Sequence, residues 1–189
     1  MDEETAKKYI TLEKLDDGVY LATLQDKLFN SDTSRAMHYW MDVLDKTEGP
    51  QCLITTAKHE KIFSAGFDFN TFEGHEQDVH NRLAECGRML ARFCAVGYPT
   101  ICAISGHCYA AGFVFAMCHD FRMMRDDFGN MCLSEINIGM SMPRGFNAHV
   151  LKKISLQTHT EAVLHGKKFT PQEALKHKIV DFLVPKQDL

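Results

Sequence analysis

No Cys-x-x-Cys pair, no Asn-x-Ser/Thr sequon, no Gly-x-Gly-x-x-Gly and no phosphate-loop sequence occurs in these 189 residues. Without the nucleotide signatures, NAD- or NTP-dependent chemistry has no motif to rest on. The seven cysteines (Cys52, Cys86, Cys94, Cys102, Cys108, Cys118 and Cys132) are odd in number and sit mostly in apolar segments. There a free thiol packs as a small hydrophobe, and the pattern favours a reducing compartment over a disulfide framework. No long basic run is present and the net charge is −4, so neither nucleic acid nor an anionic membrane surface is indicated as a partner. No internal repeat or low-complexity linker interrupts the chain. The opening MDEETAKKYI is acidic and polar, unlike a secretory signal or an Arg-rich transit peptide. The length suits one domain, residues 1–189, with a sizeable core.

The longest uncharged stretch is Ile101 to Cys118, ICAISGHCYAAGFVFAMC, eighteen residues. By length alone it competes with a membrane span. Ser105, Gly106 and His107 break it, and Ala110, Ala111 and Gly112 follow. The expectation is therefore a buried strand, a tight turn, then a helix whose first turn is nearly bare of side chains, and no membrane span. Such a helix start offers free N–H groups and a positive dipole end to an anion or a developing oxyanion.

Elsewhere, residues 9–24 read as paired strands around Asp16-Asp17-Gly18. A helix is expected over 32–46 with Met37, Trp40, Met41 and Leu44 on one face. Strands follow at 51–57, after Pro99, at 120–124 and at 179–184. Helices are expected over 76–96, 144–154 and 158–166. Thr170-Pro171-Gln172-Glu173 carries a capping Thr, a Pro at the first helical position and a Glu completing a capping box. Strands alternating with helices define an α/β class with parallel strands.

Several constellations carry little chemistry. His75 and His80, five apart, diverge by roughly 140° on a helix and cannot share a metal face; they read as a solvated helix start. Neither Ser64 nor Ser105 sits in a Gly-x-Ser-x-Gly elbow. His119-Asp120 reads as a hydrogen-bonded pair packing a helix terminus rather than a catalytic dyad. No metal site is expected. Glu135 stands out as the one carboxylate in the mainly apolar MCLSEINIGM. Buried, it would have a raised pKa and serve as a base near neutral pH; equally, it could cap a turn or pair with Arg144.

Together, ITTAKHEKIFSAGFDF (54–69), AISGHCYAAGFVFAMCHDFRMMR (103–125), LSEINIGM (133–140) and GKKFTPQEALKHKIVDFLVP (166–185) resemble the crotonase (enoyl-CoA hydratase/isomerase) superfamily in order and spacing. The second segment is most similar to plant-type peroxisomal Δ3,Δ2-enoyl-CoA isomerases. The resemblance implies a crotonase-like ββα spiral. It implies that backbone N–H groups of Phe67 and Ala111 hold the thioester oxygen of an acyl-CoA, with Glu135 as the proton carrier. Ser64, Ala65, Gly66, Asp68, Gly112 and Val114 would line the substrate, and Lys58 and Lys61 would flank the CoA phosphates. Coenzyme A enters only as part of the substrate; no separate cofactor is implied. Family hydratases use two glutamates, and the first falls here on Val114, which cannot activate water. One carboxylate suits isomerisation, with Phe113, Val114, Ile136 and Ile138 excluding water.

Family members usually continue with further helices beyond the segment matching KHKIVDFLVP, so a C-terminal helical tail is expected to be missing. Two readings follow. One is an active isomerase, as a homotrimer or hexamer in the peroxisome or the mitochondrial matrix, although QDL is not the peroxisomal S-K-L address. The alternative is a catalytically inactive crotonase-fold subunit with a structural role in a larger hetero-assembly that covers the missing helices. Thioester hydrolysis or dehalogenation is a third option, with no extra Asp or His placed for it.

Overall fold

The computed structural model describes residues 1–69 and 76–189, and of residues 76–78 the backbone alone. His75 and its expected helix-start role lie outside the described residues. Helix α1 (Glu3–Lys7) precedes a hairpin of β1 (Ile10–Asp16) and β2 (Val19–Leu24). Then come β3 (Leu28–Phe29), α2 (Ser31–Asp45), β4 (Cys52–Ala57), β5 (Ile62–Ser64) and β6 (Gly66–Phe67). Helix α3 (Glu76–Phe93) leads to β7 (Thr100–Ile104), β8 (His107–Tyr109), α4 (Ala111–Met117), β9 (Phe121–Arg125) and β10 (Met131–Cys132). A 3-10 turn at Glu135–Ile138 precedes α5 (Arg144–Lys153), α6 (Leu156–Val163), α7 (Pro171–Lys176) and β11 (Phe182–Val184).

The main sheet runs β1-β2-β4-β7-β9-β11, and only its first pair is antiparallel. Parallel neighbours need long crossovers, which α2, α3 and α4 supply for the first three parallel pairs and α5, α6 and α7 for β9 to β11. A second parallel sheet, β10-β8-β5, and a two-stranded one, β3-β6, branch off it. The expected α/β class is what the chain adopts. The small sheets, built from strands of two or three residues, have no periodic signature in the sequence.

Local chemistry explains the elements. Asn30 caps α2 by accepting from the Thr33 N–H at 2.9 Å, and the Thr33 hydroxyl returns the favour to the Asn30 N–H. The expected face of Met37, Trp40, Met41 and Leu44 is buried, and Trp40 Nε1 donates to the Ile10 carbonyl at 2.7 Å. The capping box at Thr170 and Glu173 forms as expected. Helix α6 starts earlier than the apolar pattern suggests, because Ser155 caps it through the Thr158 N–H. The last strand is confined to three residues, and Ile179 and Val180 pack in the core just before it.

The uncharged run folds as β7, a turn, β8 and α4, and all seven residues of α4 are buried. Among the described residues no helix is long and apolar enough to cross a membrane. Phe115 of α4 packs edge-on against Phe29 and Phe93, with centroids 5.5 and 5.0 Å away. His119 and Asp120 do not pair with each other. Asp120 accepts from the Thr100 N–H and hydroxyl, whereas His119 lies against Phe93 and Phe115 with Nδ1 3.0 Å from the Phe115 carbonyl. The i, i+4 carbonyl is nearer to hand for the imidazole than the next residue's side chain, which points back to β7.

Candidate active site

Two chain segments converge to make one wall. Along 64–68, Ala65 N–H donates to the Lys27 carbonyl at 2.7 Å and Asp68 N–H to the Phe29 carbonyl at 2.9 Å. Backbone N–H groups of a strand alternate sides, so with Asp68 directed at β3, that of Phe67 is directed away from it. The Ser64 hydroxyl is buried; it donates to the Lys27 carbonyl and accepts from Gly66 N–H. Gly66 has φ of +96°, and a Cβ there would fall 2.8 Å from Ala110 Cβ and 3.4 Å from Ala111 N. Only glycine permits that approach.

Ala110, a non-glycine residue at φ 51°, ψ −124°, turns the chain into α4. Holding it there costs about 1–3 kcal/mol. The conformation is locked by its N–H on the Cys132 carbonyl and its carbonyl on the Val114 N–H. Ala111 is then the first helical residue, whose N–H has no intrahelical acceptor. With seven residues α4 is too short for a large macrodipole, so the bare N–H carries the effect. Gly112 lets α4 press on β5: a Cβ there would meet Ser64 Cβ at 2.5 Å.

The opposite wall holds Glu135, at the start of the 3-10 turn. Its Oε2 is buried and has no hydrogen-bond partner. Burial pushes the carboxyl above its ordinary range, opposed in part by its own backbone N–H. Neither a cap nor Arg144 engages that oxygen. Ala65, Phe67, Ala110, Ala111 and Glu135 share one pocket with Phe69, Leu83, Ser134, Ile138, Met140, Pro143 and Phe146. Among its described lining residues Glu135 is the only ionisable group.

The other expected residues lie elsewhere. Ser64 and Gly112 are buried behind the wall and shape it. Asp68 lines a neighbouring cleft with Asn30 and Arg82. Val114 is buried in a separate pocket beside Cys118 and His149. Lys58 and Lys61 are exposed on the β4–β5 loop, and neither lines the Glu135 pocket. Of the expected water-excluding groups only Ile138 lines it; Ile136 lines the adjoining pocket on the far side of Glu135, and Phe113 points into the core. Leu83, Met140 and Phe146 take their place. They come from α3, the loop before α5 and α5, and no local pattern marks them.

A buried carboxyl oxygen without a partner, in an apolar pocket also lined by the 65–67 and 110–111 segments, is an arrangement that can move a proton beside a developing oxyanion. The enoyl-CoA hydratase/isomerase family model matches residues 14–189. Two relatives from Arabidopsis thaliana, enoyl-CoA delta isomerase 3 and peroxisomal enoyl-CoA delta isomerase 2, are each 33% identical, over 179 and 181 residues. Each match covers 90% of this chain and 75% of the relative. A solved enoyl-CoA hydratase/isomerase family protein from Pseudomonas syringae matches with a TM-score of 0.90 at 22% identity, over 97% of this chain and 80% of that one. The chain belongs to the enoyl-CoA hydratase/isomerase family.

Proposed function

We propose that the chain is a Δ3,Δ2-enoyl-CoA isomerase that shuttles one proton on Glu135. The observation that carries this is the buried, unpartnered Oε2 of Glu135 as the only ionisable group among the described lining of its pocket. Glu135 takes a proton from C2 of a 3-enoyl-CoA. The dienolate oxygen lies against the N–H groups of Phe67 and Ala111. Protonated Glu135 delivers the proton to C4 and leaves the 2-enoyl-CoA. The enolate oxygen bears more charge than the ground-state carbonyl, so these donors act mainly on the barrier, by about 3–4 kcal/mol for one donor. Hydration would need a second group to activate water, and no other ionisable residue is among the described lining of the Glu135 pocket.

The names of the Arabidopsis relatives support the same substrate class, and "peroxisomal" in one of them supports that organelle. Lys58 and Lys61, exposed on the β4–β5 loop, are the proposed contacts for CoA phosphates. Exposed Leu156 and Leu164, 71% and 61% accessible, support assembly with further copies or subunits. The test offers purified chain 3-hexenoyl-CoA and 3-decenoyl-CoA, and separately 2-hexenoyl-CoA for hydration. Isomerisation without hydration is expected. Absence of turnover by folded protein would replace this reading with that of a non-catalytic subunit.

A further inference from the structure

Cys94, Cys118 and His149 are far apart along the sequence, yet the fold gathers them. Cys94 directly follows α3, Cys118 closes α4, and His149 lies on α5. One ligand atom of each lies within 4.8 Å of the other two, the only such trio among the described residues. Cys94 Sγ is 4.0 Å from His149 Nδ1 and 3.9 Å from Nε2, equally near both ring nitrogens. Bonds of about 2.3 Å to sulfur and 2.0–2.1 Å to nitrogen in a tetrahedral zinc site separate the two ligand atoms by about 3.6 Å. Turning the His149 ring so that Nδ1 faces the ion, and closing a few tenths of an ångström, completes that edge.

The tautomer of the histidine is already set. Its Nε2 is 3.0 Å from the Met117 carbonyl, which can only accept, so Nε2 carries the proton and the Nδ1 lone pair is free. Cys118 is buried with its thiol on the Val114 carbonyl, whereas Cys94 is exposed, so a cation has an entry path. All three side chains wall a pocket of about 270 Å³ otherwise formed by Gly87, Leu90, Ala91, Val114, Gly145 and Phe146. A divalent ion with two thiolates and a neutral imidazole leaves no net charge in this apolar surround.

We propose that Cys94, Cys118 and His149 bind a zinc-class divalent cation, with the fourth coordination position open to this pocket. Each thiol gives up its proton to solvent as its bond to the metal forms, and the contact of Cys118 with the Val114 carbonyl is exchanged for that bond. The ion ties α3, α4 and α5 together. Phe146 belongs both to this pocket and to that of Glu135, so the metal stiffens a wall they share.

The experiment titrates reduced, chelator-stripped full-length chain with Co²⁺, then Zn²⁺. A thiolate-to-cobalt charge-transfer band with intense tetrahedral visible bands is expected, saturating at one equivalent and bleached by one equivalent of Zn²⁺. Cys94→Ser and His149→Ala, confirmed folded by circular dichroism, should each weaken Co²⁺ binding at least tenfold; Cys52→Ser should not. Zn²⁺ should raise the Tm of the parent chain and leave that of Cys94→Ser unchanged. No cobalt–thiolate band in the parent chain, or the same band in Cys94→Ser, overturns the proposal. So does a Cys94–Cys118 disulfide, trapped without reductant, if the reduced protein takes up no metal.

Discussion

Replacing Gly112 by alanine sets two local effects against each other. Alanine is favoured over glycine inside a helix by about 1 kcal/mol. The added Cβ, however, would lie 2.5 Å from Ser64 Cβ, 2.8 Å from its Oγ and 3.2 Å from its carbonyl oxygen. Carbon atoms in contact prefer about 3.5–4.0 Å, so α4 and β5 must part by about 1 Å. Ser64 is fully buried and its hydroxyl is engaged by Lys27 and Gly66, so it cannot swing aside. Overpacking of this kind costs about 1–3 kcal/mol, which outweighs the propensity gain and leaves a net loss of up to about 2 kcal/mol. The effect on chemistry is larger. Ala111 and the 64–67 segment are the neighbours forced apart, and a displacement of about 1 Å at a reacting geometry costs about 10²-fold. Urea denaturation and the kcat for 3-hexenoyl-CoA report the two losses. Gly112→Ala combined with Ser64→Gly removes both colliding side-chain atoms and should recover part of each. A single variant as stable as the parent, with full kcat, would refute the reasoning.

Burial raises the Glu135 pKa, so the acid limb of kcat/KM should have its midpoint above the ordinary glutamate range, as a pH–rate profile will show. A raised folded-state pKa means stability present at low pH and lost as pH climbs through it; Glu135→Gln should therefore be more stable than the parent at neutral pH in urea melts, with the gap closing in acid. His119, buried with Nε2 unpartnered, is depressed to about 3. Its stability contribution is present above the unfolded value near 6.5 and lost as pH falls towards 3, with a slope of up to about 1.4 kcal/mol per pH unit; His119→Gln should flatten that slope. Arg122 is buried, bonded to the Ile179 and His119 carbonyls and paired with Asp181 at 2.7 Å. Arg122→Ala should cost about 3 kcal/mol, read from the denaturation midpoint.

Residues whose structural job is local were legible in the sequence. The capping box at Thr170 and Glu173, the apolar stripe from Met37 to Leu44 and the break at Ser105-Gly106 each follow from neighbours a few positions apart. The site was legible in part, because the segment around Gly66 and the turn at Ala110-Ala111 are contiguous pieces. What they touch was not. Phe146 and Leu83 reach the Glu135 pocket from distant helices. Cys94, Cys118 and His149 meet only through the packing of α3, α4 and α5. Ala110 at positive φ contradicts its own propensity and persists because Cys132 and Val114 hold it. Val114, three positions beyond the bare helix start, lines another pocket beside Cys118 and His149, a contact set by the packing of α3 and α5 and not by local pattern.

The measurement that bears most directly on Glu135 as the proton carrier compares the parent chain with Glu135→Gln, using kcat on 3-hexenoyl-CoA and calorimetric affinity for a non-reacting CoA thioester. Glutamine keeps the shape and removes the base. A fall in kcat of about 10²–10⁴-fold with unchanged affinity is the predicted result. A variant that turns over within a few-fold of the parent contradicts the assignment.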